Sequence, residues 1–219
     1  MKILFSITYY HPYISGLTIA ASRWAEALIA EGKRVSVITM QHDQYLPRTA
    51  RIGNVMVHRV PWIVSLHKGF ISIAWLLSSW RLTGSHDVTV VHLPQFEGVV
   101  TALAAKLQGK RVVAVYHCEV VLPEGFINSV IQSLLELSHM VTLLVADSVV
   151  TYTRDYEASS QILGLFKRLT KRKVIAVVPP IAVPNIYKQT IVDIQKKVGK
   201  ADVIIGIAAR LAAEKGIEY

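Results

Sequence analysis

Residues 2–40, KILFSITYYHPYISGLTIAASRWAEALIAEGKRVSVITM, read as one strand–loop–helix–strand unit, and the fold is decided there. Lys2 to Ile7 is a short apolar run of the kind buried on both faces of a parallel sheet. Tyr9 to Ser15 form a polar, aromatic loop containing Pro12, and Gly16 opens a helix whose Leu17, Ala20, Trp24 and Leu28 recur at helical spacing. Gly32 stands where a C-terminal cap belongs, with Lys33 and Arg34 at the negative end of the helix dipole. Val35 to Met40 is the second strand. A βαβ unit of this kind places its first loop at the carboxyl edge of the sheet, where ligands bind in open α/β folds.

Outward from this unit the alternation continues. Gly53-Asn54 marks a turn before the strand-like NVMVHRVP, and a helix is expected from about Phe70 until Gly84-Ser85. DVTVVHL and RVVAVYH are buried-type strands separated by the helix VVTALAAKLQG. Residues 126–145 read as a helix, SVVTYT as a strand, and Asp155 as the start of a helix running to about Thr170. KVIAVVPP is a strand closed by prolines. The pattern is that of an α/β protein with a Rossmann-like, doubly wound parallel sheet. The expected organisation is a domain over 1–180, a proline-rich linker over 181–200, and the first strand and loop of a second domain over 201–219, cut off at Tyr219.

The composition narrows the partners. Over 219 residues the formal net charge is +9 and 52% of residues are hydrophobic, so a core is available and the surface favours anions. Cys118 is the only cysteine, which excludes a disulfide within the chain and fits a reducing cytoplasm. No window carries the roughly 18 uninterrupted apolar residues of a spanning helix. Residues 126–146 come nearest, but Asn128, Gln132, Glu136 and His139 interrupt them.

The common cofactor fingerprints fail. The first loop holds Gly16 alone where a dinucleotide turn needs G-x-G-x-x-G, and no GK[ST] follows a strand. The plain reading of Gly16 is a helix start with unusual backbone dihedrals. No histidine or cysteine spacing suits zinc, and no nucleophile elbow is present, so no metal or cofactor is expected. Two polar clusters do fall after strands on the same edge as the Tyr9–Gly16 loop and His11: His92, Pro94 and Glu97, then His117 and Glu119. Cys118 beside His117 is read as a small residue at a strand end, because adjacent residues on a strand face opposite ways. In ARLAAEKG, Arg210 and Lys215 follow a buried-type strand with Gly216 opening a helix. Cations beside a helix N-terminus suit a phosphate, although spacing alone fits an ordinary solvated loop equally well.

In order along the chain, the opening strand and its aromatic-proline loop, DVTVVHLPQFEG, VYHCE, ADSVVTYT, KVIAVVPPIAVP and GIAARLAAEKGIEY resemble the amino-terminal half of a family 4 glycosyltransferase. That family is retaining and has the GT-B fold, two Rossmann-like domains facing across a cleft. The resemblance implies a nucleotide-sugar donor held mainly by the second domain and an acceptor glycan or lipid on the first. It places Arg210 and Lys215 on the donor diphosphate, Gly16 beneath the donor, and His117 at the transferred sugar. Tyr9, His11, Glu97 and Glu119 become candidates for the acceptor. The sequence departs from the family pattern at Leu17, at Ala209 and at Pro180-Ile181. The family's paired glutamates would fall beyond Tyr219, so these residues alone are expected to transfer little or nothing.

The basic excess clusters at Lys167, Arg168, Lys171, Arg172 and Lys173, and Trp62, Trp75 and Trp80 share an apolar stretch with Lys68 and Arg81. A cationic, tryptophan-bearing surface suits an anionic bilayer, here the inner face of the membrane. The plainer alternative for Trp75 and Trp80 is packing on the sheet. No nucleic-acid module is present. The second functional reading is a membrane-docked, non-catalytic subunit that recruits a separate catalytic chain.

Overall fold

The computed structural model describes residues 1–66, 69–180 and Lys196. The first strand, β1 (Lys2–Ser6), leads through helix α1 (Gly16–Ala30) to β2 (Arg34–Met40). A hairpin of β3 (Thr49–Ile52) and β4 (Val55–Val60) follows, turning at Gly53, whose φ of 56° only glycine adopts readily. A two-stranded β5 (Val64–Leu66) and β6 (Gly69–Ile71) precedes α2 (Ala74–Gly84). Then come β7 (Val88–Leu93), α3 (Gly98–Leu107), β8 (Arg111–Tyr116), α4 (Phe126–Val145) and β9 (Ser148–Thr151). Helices α5 (Arg154–Ser159) and α6 (Gln161–Thr170) lead to β10 (Val174–Ala176).

Eight strands form one sheet in the order β10-β9-β8-β7-β1-β2-β4-β3, parallel except for the antiparallel edge strand β3. The chain winds outward from β1 to β4, then returns to β7 on the other side of β1. The carboxyl ends of β1 and β7 are therefore the topological switch point, where such sheets bind ligands. Both faces of β1 are buried: Ile3 and Phe5 join the core beneath α1 with Ala21 and Ala25, whereas Leu4 joins Ile38, Met40 and Trp75. A third core lies under α3, α4 and α6, built on Leu93, Ala102, Leu143, Leu163 and Phe166. Each fully buried large side chain contributes about 1.5–3 kcal/mol, so these clusters fix the sheet's edge rigidly.

The doubly wound reading holds, with local corrections. Phe70 does not start a helix. It sits in β6 and packs into the core with Trp75, and α2 begins only after Ser72, whose hydroxyl accepts from the Trp75 N–H at 3.2 Å. The expected helix from Asp155 to Thr170 is two helices. Ser160 is extended there, and its hydroxyl caps α6 by accepting from the Leu163 N–H at 3.3 Å. Gly16 has no left-handed backbone, against the unusual dihedrals expected of it. Ser15 supplies the start of α1 instead through a capping box with Thr18. The expected linker over 181–200 and strand over 201–219 fall outside the described residues, Lys196 apart, as do Lys68, Arg210 and Lys215.

Candidate active site

Adjacent parallel strands end side by side, so the residues just past their last pairings become neighbours. His117 follows β8, Tyr152 follows β9, and His92 is the penultimate residue of β7. In the structure they form one chain: His92 Nδ1 lies 2.9 Å from His117 Nε2, and His117 Nδ1 is hydrogen-bonded to the Tyr152 hydroxyl. His92 is fully buried and His117 nearly so. Burial lowers His117 to about 4 and holds His92 well below its ordinary range, so both rings are neutral at physiological pH. Two neutral imidazoles share one bridging proton. If Tyr152 donates to His117, His117 donates to His92; the reversed set is the other tautomer. Both His117 nitrogens are thus occupied by protein.

The switch point itself is occupied by Thr8 and Glu97. The Thr8 hydroxyl donates to Glu97 Oε2 at 3.4 Å, and Glu97 Oε1 is buried without a partner. Burial raises the Glu97 carboxyl to about 7, far above an ordinary carboxylate. Gly98 next to it is dictated by packing: a Cβ there would meet Val91 Cγ1 at 2.7 Å, so only glycine lets α3 approach β7 this closely. Below Glu97 runs a buried polar network. Ser6 donates to Gln95 Oε1 at 2.9 Å, and Trp75 Nε1 donates to Thr101 at 3.0 Å.

The opening loop is held from outside. Arg59, buried on β4, donates through Nη2 to the His11 carbonyl at 2.8 Å and through Nη1 to the Pro47 carbonyl at 2.9 Å. Tyr9 stacks on Tyr13 with ring centroids 4.4 Å apart, and His42 lies against both rings. The His11 ring turns onto α1, its Nε2 hydrogen-bonded to Ser22 Oγ at 2.8 Å. A Cβ at Gly16 would meet nothing within 4 Å, so its side of the helix start is open.

The structure brings Tyr9, Glu97 and His117 to one edge of the sheet, along with Gly16. Glu119 is not part of that set. Its Oε1 accepts from Ser160 Oγ at 2.7 Å and from the Ile162 N–H at 3.4 Å, tying it to the start of α6. The proposed basic surface is partly used internally. Arg172 donates to the Leu144 and Ala146 carbonyls at the end of α4 and lies over the Phe166 ring, and Lys167 pairs with Glu157 at 2.5 Å. Arg168 and Lys171 remain exposed. Trp62 donates to the Gln41 carbonyl at 2.9 Å and packs on Phe70, and Trp75 is core. Tyr152, Thr8 and Arg59 were missed from sequence. Strand order alone would have found Tyr152, as the residue after β9 beside the one after β8.

Among the described residues no group of three His, Cys, Asp or Glu is placed to hold a metal ion, and no helix is long and apolar enough to cross a membrane.

A family model described as a glycosyl transferase 4-like domain matches residues 15–180. The chain resembles sucrose-phosphate synthase from Thermosynechococcus elongatus at 14% identity and a TM-score of 0.56, covering 81% of this chain and 47% of that one. It resembles the catalytic domain of starch synthase IV from Arabidopsis thaliana, bound to ADP and acarbose, at 13% identity and a TM-score of 0.52, covering 82% and 51%. It also resembles UDP-GlcNAc 2-epimerase from Methanocaldococcus jannaschii at 16% identity and a TM-score of 0.50, covering 80% and 45%. The likeness to these structures concerns the fold, and the chain spans about half the length of each. No curated protein sequence matches it.

Proposed function

The chain belongs to the glycosyl transferase 4-like family, and from that membership we propose that it supplies the acceptor-facing half of a cleft in which a sugar passes from a nucleotide-sugar to an acceptor with retention. The observation that supports this reading is that Glu97, at the switch point, and His117, at the end of the adjacent strand β8, lie along one edge of a sheet whose relatives by fold are GT-B enzymes. In the proposed reaction the bond from the sugar's anomeric carbon to the donor phosphate breaks while the bond to the acceptor oxygen forms on the same face. The proton leaving the acceptor hydroxyl passes to the departing phosphate oxygen. Positive charge grows on the sugar in between. A neutral His117 does not repel that charge, and its ring is held still by His92 and Tyr152. Arg210 and Lys215 would neutralise the diphosphate, so no role is assigned to a metal. Gly16 leaves room for the donor beside α1. Tyr9 and Glu97 are the acceptor's side of the cleft.

The test compares donor hydrolysis and transfer, across a panel of nucleotide-sugars, by these 219 residues alone and by the same residues joined to a donor-binding domain. Activity is expected only in the joined protein. Robust transfer by residues 1–219 alone would overturn the assignment of the donor to the other half.

A specific observation favours membrane association. Helix α3 packs between α2 and α4, and Leu76, Leu77 and Trp80 of α2, Leu107 of α3 and Leu134 and Leu137 of α4 are exposed. Exposed apolar side chains on neighbouring helices of a chain of net charge +9 suit an anionic bilayer. Co-sedimentation with phosphatidylcholine vesicles should require added phosphatidylglycerol and be lost in Leu77→Asp/Leu137→Asp. Binding that survives that double substitution would remove the helical face from the account.

A further inference from the structure

Strands β1, β2 and β4 end side by side, on the opposite side of the switch point from His117, because the sheet runs β8-β7-β1-β2-β4. A ring follows each carboxyl end within three residues: Tyr9 after β1, His42 after β2 and Trp62 after β4. Tyr13 stacks on Tyr9 with centroids 4.4 Å apart, and His42 lies 5.7 and 5.6 Å from the two. Phe70 links Tyr9 to Trp62, its centroid 5.5 Å from each. Phe70 is buried and roots the cluster in the core with Trp75, whereas Tyr13 and Trp62 leave 36% and 37% of their surface in solvent.

The chain itself fixes these rings. The Trp62 indole N–H donates to the Gln41 carbonyl at 2.9 Å, and the Gln41 side-chain amide donates to the Leu46 carbonyl at 2.7 Å. Arg59 holds the loop after β1 through the His11 carbonyl, 2.8 Å away. A ligand therefore meets rings whose freedom was given up on folding, which lowers the cost of binding. Burial lowers His42 below its ordinary range and raises Tyr9 to about 12, so neither ring is charged at physiological pH. What this part of the edge offers a ligand is ring surface.

A sugar ring has the complementary chemistry. Its C–H groups make an apolar face that packs on the negative face of an aromatic ring, while its hydroxyls point sideways into water. A lipid chain gains most from an enclosed aliphatic channel, and this cluster is aromatic and partly open to solvent. The three strand ends span two inter-strand spacings, about 10 Å, which is wider than one sugar ring. We propose that the rings after β1, β2 and β4 form a stacking platform for a glycan acceptor of two or more sugar units. Its reacting end lies at the switch point beside Glu97, and its remaining units extend over Tyr13 and Trp62. Tyr9 joins the two parts, since it follows Thr8, whose hydroxyl donates to Glu97 at 3.4 Å. This assignment rests on the transfer reading of that edge and names the acceptor's class.

Calorimetric titration of the 219-residue chain tests it, with maltotriose, cellotriose, the trimer of N-acetylglucosamine, their monosaccharides and octyl glucoside below its micelle concentration. At least one trisaccharide should bind about tenfold more tightly than its own monosaccharide, and Tyr13→Leu and Trp62→Leu should each weaken it about fivefold, the scale of one lost aromatic contact. Both side chains are partly exposed, so the variants should keep the parent's circular dichroism. As a second readout, the change in tryptophan emission on binding to the parent should be absent from Trp62→Phe. No trisaccharide binding, trimers no tighter than monomers, binding indifferent to both leucine substitutions, or an emission change that persists in Trp62→Phe would each overturn the platform. Octyl glucoside binding more tightly than every trisaccharide would replace the glycan with a lipid and overturn it too. The titration needs neither donor nor donor-binding domain, so its failure leaves the transfer reading standing, and absence of transfer in the joined protein leaves the binding result standing.

Discussion

The loop after β1 and the strand ends of β7, β8 and β9 lie along the same edge of the sheet, but they differ in how much of their chemistry is already assembled. Around His117 every ring nitrogen is engaged, the neighbours are buried, and the geometry leaves the imidazole little freedom. Around Gly16 the space is open, Tyr13 and Ile14 are exposed, and order comes from outside through Arg59 and the Ser15 cap. The proposed transfer would need such a difference. A group set beside a reacting carbon must be fixed before substrate arrives, because positioning lowers the barrier only if it costs nothing at the moment of reaction. The wall that receives a variable ligand can be completed by that ligand.

The sharpest way to break this contrast is His117→Ala, measured in protein that also carries a donor-binding half. Transfer should fall by about 10²–10⁴-fold, the range for a positioned catalytic side chain, with donor KM little changed. A fall of less than tenfold would mean that the fixed wall is structural only.

Glu97→Gln tests the switch point through stability. The carboxyl's ordinary value is 4.5 and burial raises it to about 7. The folded chain therefore binds more protons than the unfolded one between those values, so Glu97 lowers stability as pH rises through that window. At about 1.4 kcal/mol per unit, the cost above pH 7 approaches about 3 kcal/mol. Glu97→Gln should recover most of it at pH 8 and almost none at pH 4 in denaturant titrations. His92, His117 and His139 act in the other direction. Burial depresses all three, so the stability due to their neutral forms is present above the unfolded value of 6.5 and is lost as pH falls below it, towards 4 for His117 and His139. Equal gains at both pH values would show that the Glu97 carboxyl titrates normally.

Tyr152→Phe probes the fixed wall one residue back. Tyr152 would act as a positioning residue, through its hydrogen bond to His117. Losing its hydroxyl should cost about tenfold in kcat, or about 1.4 kcal/mol, and shift the His117 tautomer ratio seen in imidazole ¹⁵N spectra. Unchanged ¹⁵N shifts would separate Tyr152 from the ring altogether.

What was legible in the sequence follows the same division. Buried-type strands such as DVTVVHL and RVVAVYH are hydrophobic on both faces, so the sheet and its winding could be read directly. The strand ends that carry Glu97 and His117 came with it. Partners across strands did not. Tyr152 lies 35 residues from His117 and Glu97 lies 89 from Thr8, and only strand order joins them. Glu119 misled because a carboxylate after a strand looks alike whether it faces a cleft or caps a helix, and Ser160 decides that from 41 residues away. Arg172 was read as surface charge for a related reason: a cation near a helix end can be solvated or can satisfy another helix's carbonyls, and the end of α4 takes it. Phe70 fell on the wrong element because its neighbours Val64 and Ile71 pair as strands in a hairpin too short to show a period.

The open wall is tested most gently by Gly16→Ala. The backbone there is not left-handed and a Cβ would touch nothing within 4 Å, so the folded chain has no steric objection. Alanine in the first turn of a helix removes unfolded-state freedom and should raise stability by about 0.5 kcal/mol. If the glycine persists only because of the fold, this variant is as active as its parent. If it persists because a donor comes close to α1, the added methyl stands in that space, and donor KM should rise about fivefold, some 1 kcal/mol, while kcat stays near its original value. A more stable protein with poorer donor binding is a combination that no packing defect produces, and it would assign the open wall to the ligand without reference to His117.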